Sequence, residues 1–253
     1  MFERSREHSL RTMIKNILGV KIDDITMEEA VSTVGIWLSK PGKHYIVTPN
    51  PEFLVTAKSD NQFQMILNRS DLSIPDGVGL KLAGVKNRVS GADLMERLIS
   101  LSAEKGYRIG FLGGDKGVAD LCAERLSKKF PQLKISFTEA GPDIDSLKRL
   151  PCSASTSSAS LAMTKGCDIL FVAFGHPKQE YWIAENLEKI PVKVAMGVGG
   201  AFDYISGRVP RAPNWIRSLG LEWLFRLILQ PWRVKRQLAL IRYIYLLTPK
   251  IRG

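Results

Sequence analysis

Short apolar runs alternate with amphipathic stretches along this chain. His44–Thr48, Tyr107–Leu112, Lys134–Thr138, Asp168–Phe174 and Val192–Val198 are apolar runs, several rich in Val, Ile and Phe and ending at Gly or Pro. That pattern predicts buried strands. Between them, Thr26–Leu38, Asn61–Asn68, Gly91–Lys105, Lys116–Phe130 and Lys178–Leu187 read as amphipathic helices. Strands alternating with helices predict an α/β fold: a mostly parallel sheet with helices on both faces. In such folds ligands bind where strands end and helices begin, so the strand ends carry the functional reading.

Two segments depart from the alternation. Pro151–Ser160 reads PCSASTSSAS, a small-residue patch that predicts a mobile loop or a weak helix start. From about Pro210 the composition shifts to Trp, Leu and Arg. That shift predicts a body over residues 1–209 and a basic, amphipathic helical appendage over residues 210–253. Within the appendage, Ile216, Leu219, Trp223, Leu224, Leu227 and Ile228 recur at spacings of three and four, forming one apolar stripe. Glu222, Arg226 and Arg233 project elsewhere, and Pro231 predicts a break between two helical segments.

Charge sharpens that division. The formal net charge of the 253-residue chain is +11, and residues 204–253 hold ten Lys/Arg against one acid, Glu222. The tail thus accounts for nearly all of the excess, and an anionic partner is expected there. A basic tail can bind nucleic acid, but interleaved Trp, Leu and Ile favour a lipid surface. No run reaches the roughly 20 apolar residues of a spanning helix. The segment QLALIRYIYLLTP comes nearest, and Arg242 interrupts it. The N-terminus has no apolar run, so no signal peptide is expected. Cys122, Cys152 and Cys167 form no CxxC pair and read as reduced cytosolic thiols.

The strand ends carry several candidate constellations. Gly113, Gly114 and Gly117 follow one strand and precede a helix, a setting that suits a phosphate or nucleotide. Glu139 comes 22 residues after Gly117, the spacing of an acidic ribose contact, although the glycines are off-register for G-x-G-x-x-G. A tight turn explains the same glycines. Gly197, Gly199 and Gly200 precede Asp203, which could accept from a sugar hydroxyl or cap a helix. Thr48 and Asn50 end a third strand. Asp76 sits between Pro75 and Gly77, a turn signature that also suits a general base in a cleft. Gln179 projects near a helix start after Pro177. Asp143 and Asp145 form a D-x-D pair of a kind that can hold a metal, but such triplets are common by chance. Three histidines, His8, His44 and His176, argue against a histidine metal cluster.

Six stretches occur in order: TPNPEFL, IPDGVGL, RVSGADL, VAFGHPKQEYW, MGVGGAFDYISGRVPRAP and GLEWLFRLILQPWRVKRQ. Together they resemble the WecG/TagA/CpsF glycosyltransferases (glycosyltransferase family 26), over about Ile17 to Ile241. The resemblance implies a Rossmann-like domain with a C-terminal membrane-binding appendage, peripheral on the inner face of the cell membrane. It implies an inverting transfer from a UDP-sugar to a polyprenyl-diphosphate-linked N-acetylglucosamine acceptor, with no metal and no other cofactor. In the TagA branch the sugar is N-acetylmannosamine and the product the linkage unit of wall teichoic acid.

Matched residue by residue, the resemblance gives Asp76 the role of general base and sets Thr48 and Asn50 at the sugars. It gives Arg88 the diphosphate, matches Gln179 to the glutamine of PKQE, and makes Arg226 and Arg233 appendage arginines that complete the site. Gly113, Gly114, Gly199, Gly200 and Asp203 are the expected nucleotide contacts. The Ser-rich stretch departs from the family's middle helix. Within the family the donor could instead be UDP-N-acetylmannosaminuronic acid or a UDP-hexose. An NAD-dependent oxidoreductase built on Gly113, Gly114, Gly117 and Glu139 is the remote alternative, and it leaves the other five stretches unexplained. Nucleic acid is not an expected partner. The oligomeric state stays open, a homo-oligomer included.

Overall fold

The computed structural model describes residues 13–141 and 165–251. The chain opens with an antiparallel hairpin, β1 (Met13–Ile17) and β2 (Val20–Asp24). Helix α1 (Met27–Ser39) follows, its first turn closed by a capping box between Thr26 and Glu29. Then come β3 (His44–Val47), α2 (Pro51–Ser59), α3 (Asn61–Arg69), the short β4 (Leu72–Ser73) and a 3-10 segment over Val78–Ala83. Helix α4 (Gly91–Lys105) leads to β5 (Arg108–Gly113), α5 (Val118–Lys129) and β6 (Lys134–Glu139). Next are β7 (Cys167–Ala173), α6 (Lys178–Asn186), β8 (Val192–Gly197) and α7 (Ala201–Ile205). The tail forms α8 (Asn214–Ser218), α9 (Glu222–Leu229), a 3-10 turn over Pro231–Arg233, and α10 (Val234–Ile251).

Six strands make one parallel sheet in the order β4-β3-β8-β7-β5-β6. All five strands expected from the sequence lie in it. Along β7, Leu170 and Val172 enter one apolar cluster while Ile169, Phe171 and Ala173 enter another. The alternation places a core on each face of the sheet. Ala30, Val34 and Leu38 of α1, with Leu94, Leu98 and Ile99 of α4, fill one core. Phe53 and Leu54 of α2, Phe63 and Leu67 of α3, and Ile183 of α6 fill the other. The α/β reading with helices on both faces is therefore correct.

Helix α10 packs on α2 and seats Tyr243 and Leu247 in that second core. The expected break at Pro231 falls between α9 and α10. Pro177 is the residue immediately before α6, joined to His176 by a cis peptide. The sequence pattern does not predict the hairpin, β4 or α2. Strand β4 spans two residues, too few for a period to show. Helix α2 starts at Pro51, capped by the Asn50 side chain, within a stretch whose turn residues mask its period. Cys152, the Ser-rich Pro151–Ser160 stretch and the Asp143/Asp145 pair lie outside the described residues. Among the described residues, no helix is long and apolar enough to cross a membrane.

Candidate active site

Strands β3, β8, β7 and β5 run side by side and in parallel, so their C-terminal ends open on one edge. The segments leaving them line a cleft of about 540 Å³. From β3 come Thr48 and Asn50; from the segment after β4, Asp76; from the loop before α4, Arg88. From β5 comes Gly114; from α6, Gln179; from the turn after β8, Gly199 and Gly200; from α7, Asp203. Arg226 of α9 and Arg233 of the following turn close the cleft. Of the residues to which the family resemblance and the expected nucleotide contacts give a role, all but Gly113 line this one space.

Gly113 serves the sheet. Its φ is +110°, and a Cβ there would lie 2.7 Å from the Ala173 carbonyl carbon. Only glycine lets β5 and β7 approach so closely at their ends. Gly117 caps α5, and neither it nor Glu139 is among the cleft residues, so the dinucleotide spacing does not converge on this space.

Asp76 is held on both flanks. Its N–H donates to Pro49 O at 2.9 Å, and Val89 N donates to Pro75 O at 3.0 Å. The carboxylate faces the cleft and accepts from the Gly91 N–H at the start of α4. Burial pushes its pKa up to about 7, with Glu222 and Asp93 adding to the rise, while the Gly91 bond and Arg88 oppose it. Asp76 therefore sits near the middle of its titration at neutral pH, where a general base works best.

Asn50 and Gln179 are more committed than the sequence suggests. Asn50 Oδ1 accepts from Glu52 N at 2.9 Å and from Phe53 N at 3.2 Å, capping α2. Gln179 is 2% exposed. Its Nε2 donates to Glu180 Oε1 at 2.6 Å, and its Oε1 accepts from Gly199 N at 3.0 Å. Gln179 thus braces the glycine turn that lines the cleft.

The tail contributes charge inward and apolar surface outward. Arg226 Nη2 donates to Asp203 Oδ2 at 2.9 Å, and its guanidinium lies 4.7 Å from the Tyr204 ring centroid. The Arg226 side chain is 14% exposed, whereas Ile228, two residues on, is 70% exposed. Trp215, Leu219, Trp232, Leu238 and Ile241 are exposed as well. A helix packed with its basic face in water would show the reverse.

Arg211 ties the tail to α4, bonding Asp93 at 2.8 Å, Glu96 at 3.0 Å and Glu222 at 3.3 Å. Arg217 also pairs with Asp93, and Arg88 Nη2 donates to Arg217 O at 2.9 Å.

Several cleft residues escaped the sequence reading. Glu222 enters the cleft, and its signal was present: it is the only acid in a strongly basic tail. Tyr204 carries Arg226 on its ring face. His176 lines the cleft with its ring 4.4 Å from Phe53 and 5.2 Å from Phe63. Nothing in its sequence context marked that aromatic niche. Among the described residues no group of three His, Cys, Asp or Glu is placed to hold a metal ion.

Comparison with known proteins gives the family. A model of the "Glycosyl transferase WecG/TagA/CpsF family" matches residues 15–252. An N-acetylglucosaminyldiphosphoundecaprenol N-acetyl-beta-D-mannosaminyltransferase of Bacillus subtilis (strain 168) is 34% identical over 215 residues, covering 79% of this chain and 80% of the relative. A protein of the same name from Staphylococcus aureus (strain MRSA252) is 26% identical over 247 residues, covering 94% of each chain.

Proposed function

The chain belongs to the WecG/TagA/CpsF glycosyltransferase family, and we propose that it moves N-acetylmannosamine from UDP-N-acetylmannosamine to N-acetylglucosamine-diphosphoundecaprenol. The reaction inverts the anomeric centre and serves wall teichoic acid or a related surface polymer. One observation carries the mechanism: a carboxyl with a pKa raised to about 7 shares a single cleft with Arg88, Arg226 and Arg233.

In this reading Asp76 takes the proton of the acceptor hydroxyl as that oxygen attacks C1 of the donor sugar. The C1–O bond to UDP breaks, and its electron pair leaves with the diphosphate. Developing negative charge there meets guanidinium groups, which can bond a diphosphate bidentately. Thr48 and Asn50 border the sugars. Gly114 and the Gln179-braced turn at Gly199 and Gly200 border the nucleotide, with Asp203 beside them. The arginines fill the charge-neutralising role that a metal fills in other transferases. Activity is accordingly expected to survive EDTA; a loss restored by magnesium or manganese would overturn that part.

The two-part organisation belongs to the same proposal. A catalytic body ends near residue 209, and the tail rests on the cytoplasmic face of the membrane, where a lipid-linked acceptor resides. The outward apolar residues of α8 to α10 support it, because such residues lose water on entering an interface. The test is UDP release from a panel of UDP-sugars with a polyprenyl-diphosphate N-acetylglucosamine acceptor. Turnover with N-acetylmannosamine as the preferred donor is expected. No turnover with any UDP-sugar would refute the assignment. Preference for the uronate or a hexose would keep the chemistry and change the donor.

A further inference from the structure

The β1–β2 hairpin stands outside the six-stranded sheet. It ends in two adjacent acids, Asp23 and Asp24, which are 5% and 6% exposed. Buried carboxylates need partners, and these find theirs far along the chain. Asp23 Oδ2 accepts from Ser73 N at 2.8 Å, three residues before Asp76. Asp24 spans two consecutive backbone donors, Lys86 N to Oδ2 at 3.0 Å and Asn87 N to Oδ1 at 2.8 Å. Asn87 Nδ2 returns a bond to Asp24 O at 3.4 Å. The next residue is Arg88, whose side chain enters the cleft.

We propose that Asp24 is a positioning residue that fixes Arg88 in the cleft through the backbone of Lys86 and Asn87, with Asp23 steadying the approach to Asp76 alongside. Three features support it. A carboxylate on two backbone N–H groups makes charge-assisted bonds, stronger than neutral ones. It restrains the peptides immediately before Arg88, leaving the side chain fewer arrangements. The two acids also sit next to each other on one strand end, so the segments carrying Asp76 and Arg88 are held from a common base. The hairpin thereby becomes part of the site without touching substrate.

This inference rests on the role given to Arg88 above, and its test separates the two. Asp24→Asn, Arg88→Ala and the double variant are compared for kcat and donor KM, with thermal midpoints recorded for each. Asp24→Asn replaces one acceptor by an NH2 group facing a backbone donor. It is expected to lower kcat about tenfold or more, with donor KM changing less. In the Arg88→Ala background it should lower kcat no further, while lowering the thermal midpoint as much as before. Equal losses of kcat in both backgrounds, or an unchanged kcat in the single variant, would overturn the inference and leave the reaction intact. Full activity of Arg88→Ala would remove the role of Arg88 and this inference with it. If Asp24→Asn does not fold, Asn87→Ala removes only the returning bond. The same cycle then expects a loss of about twofold that vanishes without Arg88, and a loss that persists there overturns the inference.

Discussion

Arg226 and Gly200 occupy adjoining space that no larger residue at 200 would leave free. A Cβ built on Gly200 collides with both terminal nitrogens of the Arg226 guanidinium. The φ of Gly200 is −81°, so backbone strain is not the reason for glycine there. Glycine is needed because a guanidinium from the tail packs flat against the turn after β8. The contact joins the two ends of the proposed site across 26 residues of chain.

Gly200→Ala should therefore behave like a weak form of Arg226→Ala. The added methyl displaces the guanidinium from Asp203 and from the Tyr204 ring. Losing one preorganised donor at a developing charge costs about 10²–10³ in kcat, which is the expected loss for Arg226→Ala. Gly200→Ala should show a smaller loss with a nearly unchanged thermal midpoint. Steady-state kinetics beside a melting curve tests this; wild-type kcat in both variants would take Arg226 out of the chemistry.

Asp76 predicts a pH profile. The base must be ionised, and its proton leaves at about pH 7. The ratio kcat/KM, which reports the free enzyme, should therefore rise through about pH 7 and level off above it. Asp76→Asn should lower kcat by about 10²–10⁴ and abolish that limb, with UDP affinity by calorimetry nearly intact. A limb that persists in the variant would belong to another group.

Glu180 predicts a stability profile of the opposite sense. Burial raises its pKa to about 8, and the Gln179 bond only partly offsets this. The folded chain then holds a proton that the unfolded chain has lost. Stability should fall as pH rises from about 4.5, the ordinary value, through about 8, and flatten beyond. Glu180→Gln, neutral throughout, should remove this share of the slope. Denaturant midpoints between about pH 5 and about pH 9 measure it, and parallel slopes in both proteins would disprove it.

The outward apolar face predicts a separation of docking from chemistry. Ile228 and Ile241 are exposed, and Arg226 is already seated in the cleft by Asp203 and Tyr204. Ile228→Glu with Ile241→Glu should abolish co-sedimentation with anionic vesicles. Turnover of a water-soluble, short-chain acceptor should stay within about twofold, since surface changes usually cost less than about 0.5 kcal/mol. Collapse of both together would mean that the membrane assembles the site.

Much of this molecule was legible in its sequence because its signals are local. Apolar runs bounded by Gly and Pro marked five strands, the rule that ligands gather at strand ends selected Thr48, Asn50, Gly199 and Gly200, and the family resemblance singled out Asp76. The apolar stripe and lone Glu222 of the tail could be read the same way. Tertiary structure decided the rest. The order β4-β3-β8-β7-β5-β6 depends on which strands pair across long loops, and periodicity carries no record of that. Gln179 lines the cleft and also braces Gly199, a bond that spacing could not reveal because its two partners lie 20 residues apart. Arg211, Arg217 and Arg226 of the tail point inward because Asp93, Glu96, Asp203 and Tyr204 wait there on other elements. Nothing in the sequence singled out Asp23 and Asp24, whose carboxylates meet backbone donors 50 to 63 residues on. A side chain's type and spacing are set in the sequence; the partner that determines its work is set by the fold.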